Sequence, residues 1–395
     1  MKLTHIFQTR RQAGLLHEPV GRARLSSARR LGVRTVRGAL GTDAPYQPQT
    51  GNAPGTRPSG RSNVRLQPAL QKDPAFPALS TPLRRERRAP LSVALWVAGL
   101  LLALLLPSTA RAALNVVTTT PEFAAIAHEV GGDFIKVTSL AKGTEDPHFV
   151  DPRPSFIRVL NQADALVEGG AELEIGWLPP LVDNARNTRI LTGAPGRIVM
   201  TRGIRLLEAP EGVIDRSLGD VHAAGNPHYT LDPANGKLMA ATLAEAFSQL
   251  DPGHAAKFAA QLARFTERLD QKLAAWAALM EPWRGTKVLT YHKSYEYFAA
   301  RFGLEIVGQI EPKPGIEPSP THINSLITTL KTQGVKLVLM EPNRSRKTPE
   351  FVANAIGAKV VVLPILVGGA DKATDYFALF DYNLGEVIAA LKALR

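Results

Sequence analysis

From Leu114 to the C-terminus, apolar positions alternate between two periods. Short runs of apolar and β-branched residues predict strands, and intervening stretches with apolar residues three and four apart predict helices. In the first half this predicts strands at Leu114–Thr119, Phe134–Leu140 and Ala165–Gly169. The helices between and after them are expected at Pro121–Val130, Arg153–Gln162 and Glu174–Asn184, the first with Pro at its first turn. Residues 205–231 carry Pro, Gly, Asp and Asn without a period and predict a long loop, followed by a helix from Asp232 to Leu250. A second series puts strands at Lys287–His292, Leu304–Ile310, Val335–Met340 and Lys359–Leu366. Its helices are expected at Ser294–Phe302, Thr321–Gln333, Thr348–Ile356 and Thr374–Leu394. Strand–helix alternation predicts parallel sheets with helices on both faces.

Between the two series lies a different object. Gly253–Met280 holds Ala, Leu and Phe at helical spacing, with Asp251-Pro252 as its start signal and Glu281-Pro282 as its end. A helix of that span is roughly 40 Å long, too long for an ordinary crossover. The predicted fold class is therefore α/β, with two parallel-sheet α/β lobes joined by one long rigid helix and no sequence repeat between the lobes. The expected division is an N-terminal lobe at 113–250, a linking helix at 251–283 and a C-terminal lobe at 284–395.

The charge changes the picture of the N-terminus. The chain of 395 residues has a net charge of +12, which by itself suggests a polyanion binder. Residues 1–112 hold 18 Lys and Arg against 4 acids, however, and the remainder is close to neutral. A nucleic-acid partner is therefore not expected. Residues 1–82, rich in Arg, Pro, Gly, Ser and Gln, are predicted to be a disordered basic leader, or an upstream extension of a chain whose start lies at Leu83. Arg84, Arg85, Arg87 and Arg88, the apolar run Leu91–Leu106 and Ala110-Arg111-Ala112 form the three regions of a secretory signal peptide at 83–112. The expectation is export to the periplasm, cleavage near Ala112 and no stable membrane insertion afterwards.

Cysteine is absent, which excludes disulfides, thiolate metal sites and a cysteine nucleophile, and predicts that the protein is not a lipoprotein. The motifs of serine hydrolases, phosphate-binding loops and His-Glu-x-x-His metalloproteases are also absent. An enzyme reading needs a zinc-bound water beside Glu145 or Asp146 as general base, and nothing in the pattern favours it over plain metal capture. In open parallel sheets, ligands bind beyond the carboxyl ends of strands. Three histidines fall in such loops: His148, His228 and His292. Neutral imidazole is a common ligand for zinc and related metals, yet spacings of 80 and 64 residues are no local signature. His222, in the loop that also holds His228, is an auxiliary metal candidate or a loop-ordering residue. His128, His254 and His322 are expected at the surface.

Several segments, in order, resemble the cluster A-I substrate-binding proteins of bacterial zinc and manganese ABC transporters. They are Asp146-Pro147-His148, Gly169-Gly170-Ala171-Glu172-Leu173-Glu174, Asn226-Pro227-His228-Tyr229, Tyr291-His292-Lys293-Ser294, Glu311-Pro312-Lys313-Pro314-Gly315 and Asp381-Tyr382-Asn383-Leu384. The resemblance covers residues 114–395. It implies that His148, His228 and His292 bind the metal and that a carboxylate from the loop after the last strand joins them. Asp371 is the only carboxylate in Val367–Ala373, although the usual Asp-Ser pairing is missing; water, Glu145 or Asp375 are the other choices.

The resemblance further implies a carrier, not an enzyme, that captures Zn²⁺ between its lobes and delivers it to an inner-membrane ABC permease and its ATPase. A nitrogen-rich set suits Zn²⁺ better than Mn²⁺, the alternative cargo. The protein is expected to act as a monomer. The alternatives are a manganese or iron carrier of the same family, and a metal-binding adhesion or storage protein without transport.

Overall fold

The computed structural model describes residues 95–96, 112–210 and 222–394. The expected leader and all but a few residues of the expected signal segment lie outside the described residues, as does 211–221 of the long loop. No helix among the described residues is long and apolar enough to cross a membrane.

Two four-stranded, all-parallel sheets form the framework. The first lobe runs β1 (Leu114–Thr118), α1 (Pro121–Gly131), β2 (Ile135–Ser139), α2 (Pro154–Gln162), β3 (Ala165–Glu168), α3 (Leu178–Ala185) and β4 (Arg197–Val199). After the long loop come α4 (Asn235–Leu250) and α5 (Ala255–Met280). The second lobe runs β5 (Lys287–Thr290), α6 (Glu296–Phe302), β6 (Glu305–Gln309), α7 (Pro320–Leu330), β7 (Leu337–Met340), α8 (Lys347–Ile356), β8 (Lys359–Val362) and α9 (Tyr376–Lys392). The strand orders are β2-β1-β3-β4 and β6-β5-β7-β8, the same arrangement twice. The inner strands are buried on both faces, so they read as continuous apolar runs: all four residues of β7 are buried.

The long helix is shorter at its start than the pattern predicts. Pro252–His254 forms a 3₁₀ turn, and the Asp251 carboxylate takes the His254 Nδ1–H at 2.7 Å instead of capping the α-helix. From Ala255 the 26-residue α5 buries Phe258, Phe265, Leu269, Trp276 and Met280 on one stripe, at separations of seven and four. That stripe packs against α4, α1 and α9, and one apolar cluster runs from Leu114 in the first lobe through α5 to Phe380 and Val387 in α9. Polar ties fix the helix to both lobes: Arg268 pairs with Glu129 of α1 at 3.1 Å, and Trp276 Nε1 donates to Asp381 of α9 at 2.7 Å.

Two local differences from the expected elements have clear causes. The helix expected from Glu174 begins only at Leu178. Ala171 and Glu172 have positive φ, so the chain turns there, and the buried Glu174 carboxylate accepts the Gly169 N–H and the Thr119 hydroxyl, each at 2.6 Å. Strand β4 is absent from the expectation because its three residues hold a single buried apolar side chain, Ile198; pairing with β3 creates it.

Candidate metal centre

Each strand-end histidine is delivered by its own loop. His148 follows β2; its backbone N–H is accepted by Asp146 Oδ1 at 3.0 Å, and Trp177 Nε1 donates to Pro147 O at 2.9 Å, so the Asp146-Pro147-His148 turn is pinned from both ends. His228 follows the long loop. Gly225 has φ +115°, and a Cβ there would meet Leu207 O at 2.7 Å, so only glycine lets the returning chain pass. Asn226 then accepts the His228 N–H at 2.9 Å and donates to Lys293 O of the second lobe at 2.8 Å, while Tyr297 OH donates to Asn226 O at 2.8 Å. His292 follows the inner strand β5, and its Nδ1–H donates to Glu311 Oε2 at 2.7 Å.

The three loops converge. His148, His228 and His292 each offer a ring nitrogen, and these nitrogens all lie within 4.8 Å of one another. His148 Nε2 and His228 Nε2 are 3.1 Å apart. His228 and His292 are buried and His148 is half-buried. The ring of His222 stacks on that of His148, with centroids 5.0 Å apart and planes 17° from parallel, and its Nδ1 lies 4.0 Å from Glu172. A cleft of about 80 Å³ opens beside this cluster, with His222, Asn226, His228, His292 and Lys293 in its wall.

The electrostatics separate the imidazoles. Burial, then the neighbouring histidines, hold His148 and His228 well below the usual histidine range, so both are neutral near pH 7 with lone pairs free to ligate. Burial opposes charge on His292 too, but the Glu311 hydrogen bond and the charges of Glu341 and Glu311 outweigh it, and its pKa is raised. A carboxylate on Nδ1 also fixes the tautomer and leaves Nε2 as the ligating atom. Three imidazole nitrogens around one point, two of them held neutral and the third able to give up its proton to a metal, suit a borderline-soft divalent cation.

The other expected ligands are placed elsewhere. Asp371 is exposed and outside the cluster. Its loop closes on itself, with Gly368 N–H donating to Ala373 O at 2.6 Å and Gly369 N–H to Leu366 O at 3.1 Å, which leaves Asp371 at the tip. The backbone of that loop meets the first lobe instead: a Cβ on Gly143 would collide with Val367 O and Gly368, and one on Gly369 would meet Gly143 O at 2.7 Å. Asp375 caps α9, accepting from Phe377 N and Ala378 N at 2.9 Å. Glu145 pairs with Arg153 at 2.6 Å. Of the histidines expected at the surface, His128 is exposed; His254 stacks on Phe134 and His322 lies against Ile310 O, both half-buried.

Sequence reasoning passed over Glu311 as a functional residue and Arg344 altogether. Both stand just beyond the carboxyl ends of strands, β6 and β7, where open parallel sheets bind their ligands. Arg344 extends to Asp146 Oδ2 at 3.1 Å and to within 3.7 Å of Glu311 Oε1.

Residues 116–390 match the model of the family described as ZnuA, the periplasmic component A of the zinc-uptake complex. The chain belongs to this family. Its members are transporter substrate-binding proteins. A relative named high-affinity zinc uptake system protein ZnuA, from Brucella abortus, is 30% identical over 40% of this chain, and the match spans 47% of that relative's length. The metal ABC transporter substrate-binding lipoprotein FimA of Streptococcus parasanguinis is 28% identical over 72% of this chain and 91% of its own. A crystal structure of ZnuA superposes with a TM-score of 0.59 at 27% identity, covering 70% of this chain and 99% of that one. The two-lobed α/β architecture with a long helix is thus the fold of the family.

The absence of cysteine set this chain apart from lipoproteins, but FimA, which aligns with most of the described chain, is named a lipoprotein. The non-lipoprotein reading is withdrawn, and the coarser extracytoplasmic location carried by the family description is kept.

Proposed function

We propose that this protein captures a divalent metal, Zn²⁺ as the preferred cargo, at His148, His228 and His292, and hands it to an ABC permease driven by its ATPase. The reading rests on one observation above all: three ring nitrogens from three separate loops, and from both lobes, within 4.8 Å of one another. Two of those imidazoles are held neutral by burial, which removes the proton that would compete with a metal. The fourth position of a tetrahedral zinc ion is filled by water, since Asp371 is exposed and outside the histidine cluster and Asp375 and Glu145 are engaged elsewhere. His222, stacked on His148, orders the loop at the cleft.

The protein acts as a carrier and not as an enzyme, because Asp146 and Glu145 both serve as structural acceptors and neither is left to activate a metal-bound water. It works as a monomer, with the site built from one chain, and takes no nucleic-acid partner. The test is competition titration of the purified protein with Zn²⁺ and Mn²⁺, with metal content by elemental analysis. Tight binding of one Zn²⁺ per chain, preferred over Mn²⁺ and lost in His228→Ala, is the expected result. Full zinc affinity in that variant sinks the assignment.

A further inference from the structure

We propose that Arg344 is a positioning residue that locks the two lobes' metal-facing histidines against one another and thereby sets how slowly the ion leaves. The inference rests on reading His148, His228 and His292 as ligands. It goes further by assigning a role to a residue that touches none of them.

Arg344 lies in the second lobe, in the loop after β7, with its side chain 21% exposed. Its Nη2 donates to Asp146 Oδ2 in the first lobe at 3.1 Å, across 198 residues of sequence. The other oxygen of Asp146, Oδ1, accepts the backbone N–H of His148. The same Nη2 lies 3.7 Å from Glu311 Oε1, and the other oxygen of Glu311 holds His292 Nδ1. Each carboxylate therefore uses one oxygen for a histidine and turns the other to the guanidinium. The result is a continuous strut, His148–Asp146–Arg344–Glu311–His292, that joins a ligand of one lobe to a ligand of the other.

The guanidinium is suited to this place. It is planar, permanently charged and able to face two carboxylates at once, whereas an ammonium acts as a single point charge. Its carbon sits 5.6 Å from the centroid of the Tyr291 ring, which limits its swing. Without it, Asp146 and Glu311 face each other across the interface as like charges in a partly desolvated setting, and the repulsion drives the lobes apart. The backbone seam between Gly143 and Gly368-Gly369 leaves no side chain there to take up the load. Loss of the strut thus loosens the closed, ion-holding arrangement and leaves the ligands themselves intact, so release accelerates while capture stays nearly the same.

The experiment uses the full chain loaded with Zn²⁺ and chased with excess chelator, beside equilibrium competition, melting of the metal-free protein and the visible spectrum of the Co²⁺ form. Arg344→Gln is expected to bind one ion, melt like the parent when metal-free, release zinc about 10-fold faster and shift the Co²⁺ bands. Arg344→Lys restores part of the retention. Asp146→Asn keeps the acceptor for His148 and accelerates release similarly, and the double variant with Arg344→Gln adds little, because both break one strut. A parental release rate in Arg344→Gln, with tight binding lost in His228→Ala, overturns the strut and leaves the metal site standing. Full zinc affinity in His228→Ala overturns both. Should Arg344→Gln fail to fold, Asp146→Asn decides alone: faster release supports the strut and a parental rate removes it.

Discussion

The two lobes share one strand order, yet they hold their imidazoles by different means. In the first lobe the turn bearing His148 follows β2, an edge strand, and His148 is half-buried there, fixed through its backbone by Asp146. In the second lobe the histidine follows β5, an inner strand, and the loop after the edge strand β6 supplies a carboxylate that grips the His292 ring. An imidazole at the end of an inner strand is enclosed on both sides, so only an adjacent carboxylate lets it keep a proton. His228 is as deeply buried as His292 but lacks such a partner, and its pKa moves the other way. The difference teaches that the partner of the second ring nitrogen, not depth, sets protonation.

The comparison breaks most sharply at the ligands themselves. His228→Ala removes a neutral, buried donor and is expected to cost roughly 100- to 1,000-fold in zinc affinity, measured by chelator competition. Glu311→Gln leaves all three rings in place but removes the carboxylate grip on His292 and the charge that faces Arg344, so a loss of about 10- to 100-fold is expected in the same assay. Parental affinity in Glu311→Gln means the carboxylate is irrelevant to the site.

A pH titration sharpens the contrast. A raised His292 pKa means the metal must displace a proton there at pH values where His148 and His228 carry none. Zinc affinity therefore begins to fall as pH drops while still above 6.5, with a slope near one proton, about tenfold per unit. In Glu311→Gln the onset moves to lower pH, because the carboxylate that favoured the charged ring is gone. An onset unchanged by that substitution places the competing proton on another group.

The smallest effect concerns stability and belongs to the first lobe. Glu122, at the start of α1, is fully buried; desolvation raises its pKa to about 8 despite the hydrogen bond from Thr120. The folded state therefore holds a proton that the unfolded state loses near 4.5. Its contribution is complete below that value and is lost as pH rises through about 8. Glu122→Gln, which stays neutral, is expected to gain on the parent as pH rises from about 4.5 to about 8 and to level off above that, in urea unfolding of the metal-free protein. A pH-independent difference means the carboxyl is already charged in the fold.

Much of this was legible in the chain. The alternation of periods located both series of strands and helices, and Gly253–Met280 announced a linking helix whose buried stripe of Phe258, Phe265, Leu269, Trp276 and Met280 is visible in the sequence itself. Strand ends, where parallel sheets bind ligands, drew attention to His148, His228 and His292, and their expected role came from the resemblance to zinc and manganese carriers. Less legible were features that depend on a distant partner. Strand β4 exists because β3 offers it an edge. The delayed start of α3 follows from the hold of Thr119 and Gly169 on Glu174. Asp371 looked suitable by position and chemistry, but it is exposed at the tip of its turn and is not among the residues that cluster with the three histidines.

The sequence by itself determined the two lobes, the helix between them and a supply of imidazole in place of thiolate, because period, capping and composition act between neighbours a few residues apart. Only the tertiary structure decided that residues 148, 228 and 292 meet, which carboxylate grips which ring and that Arg344 spans from one lobe to the other. Those contacts join residues tens to hundreds of positions apart. Their geometry is set by how two sheets pack around one helix, and angstrom differences in that packing separate a ligand from a surface charge.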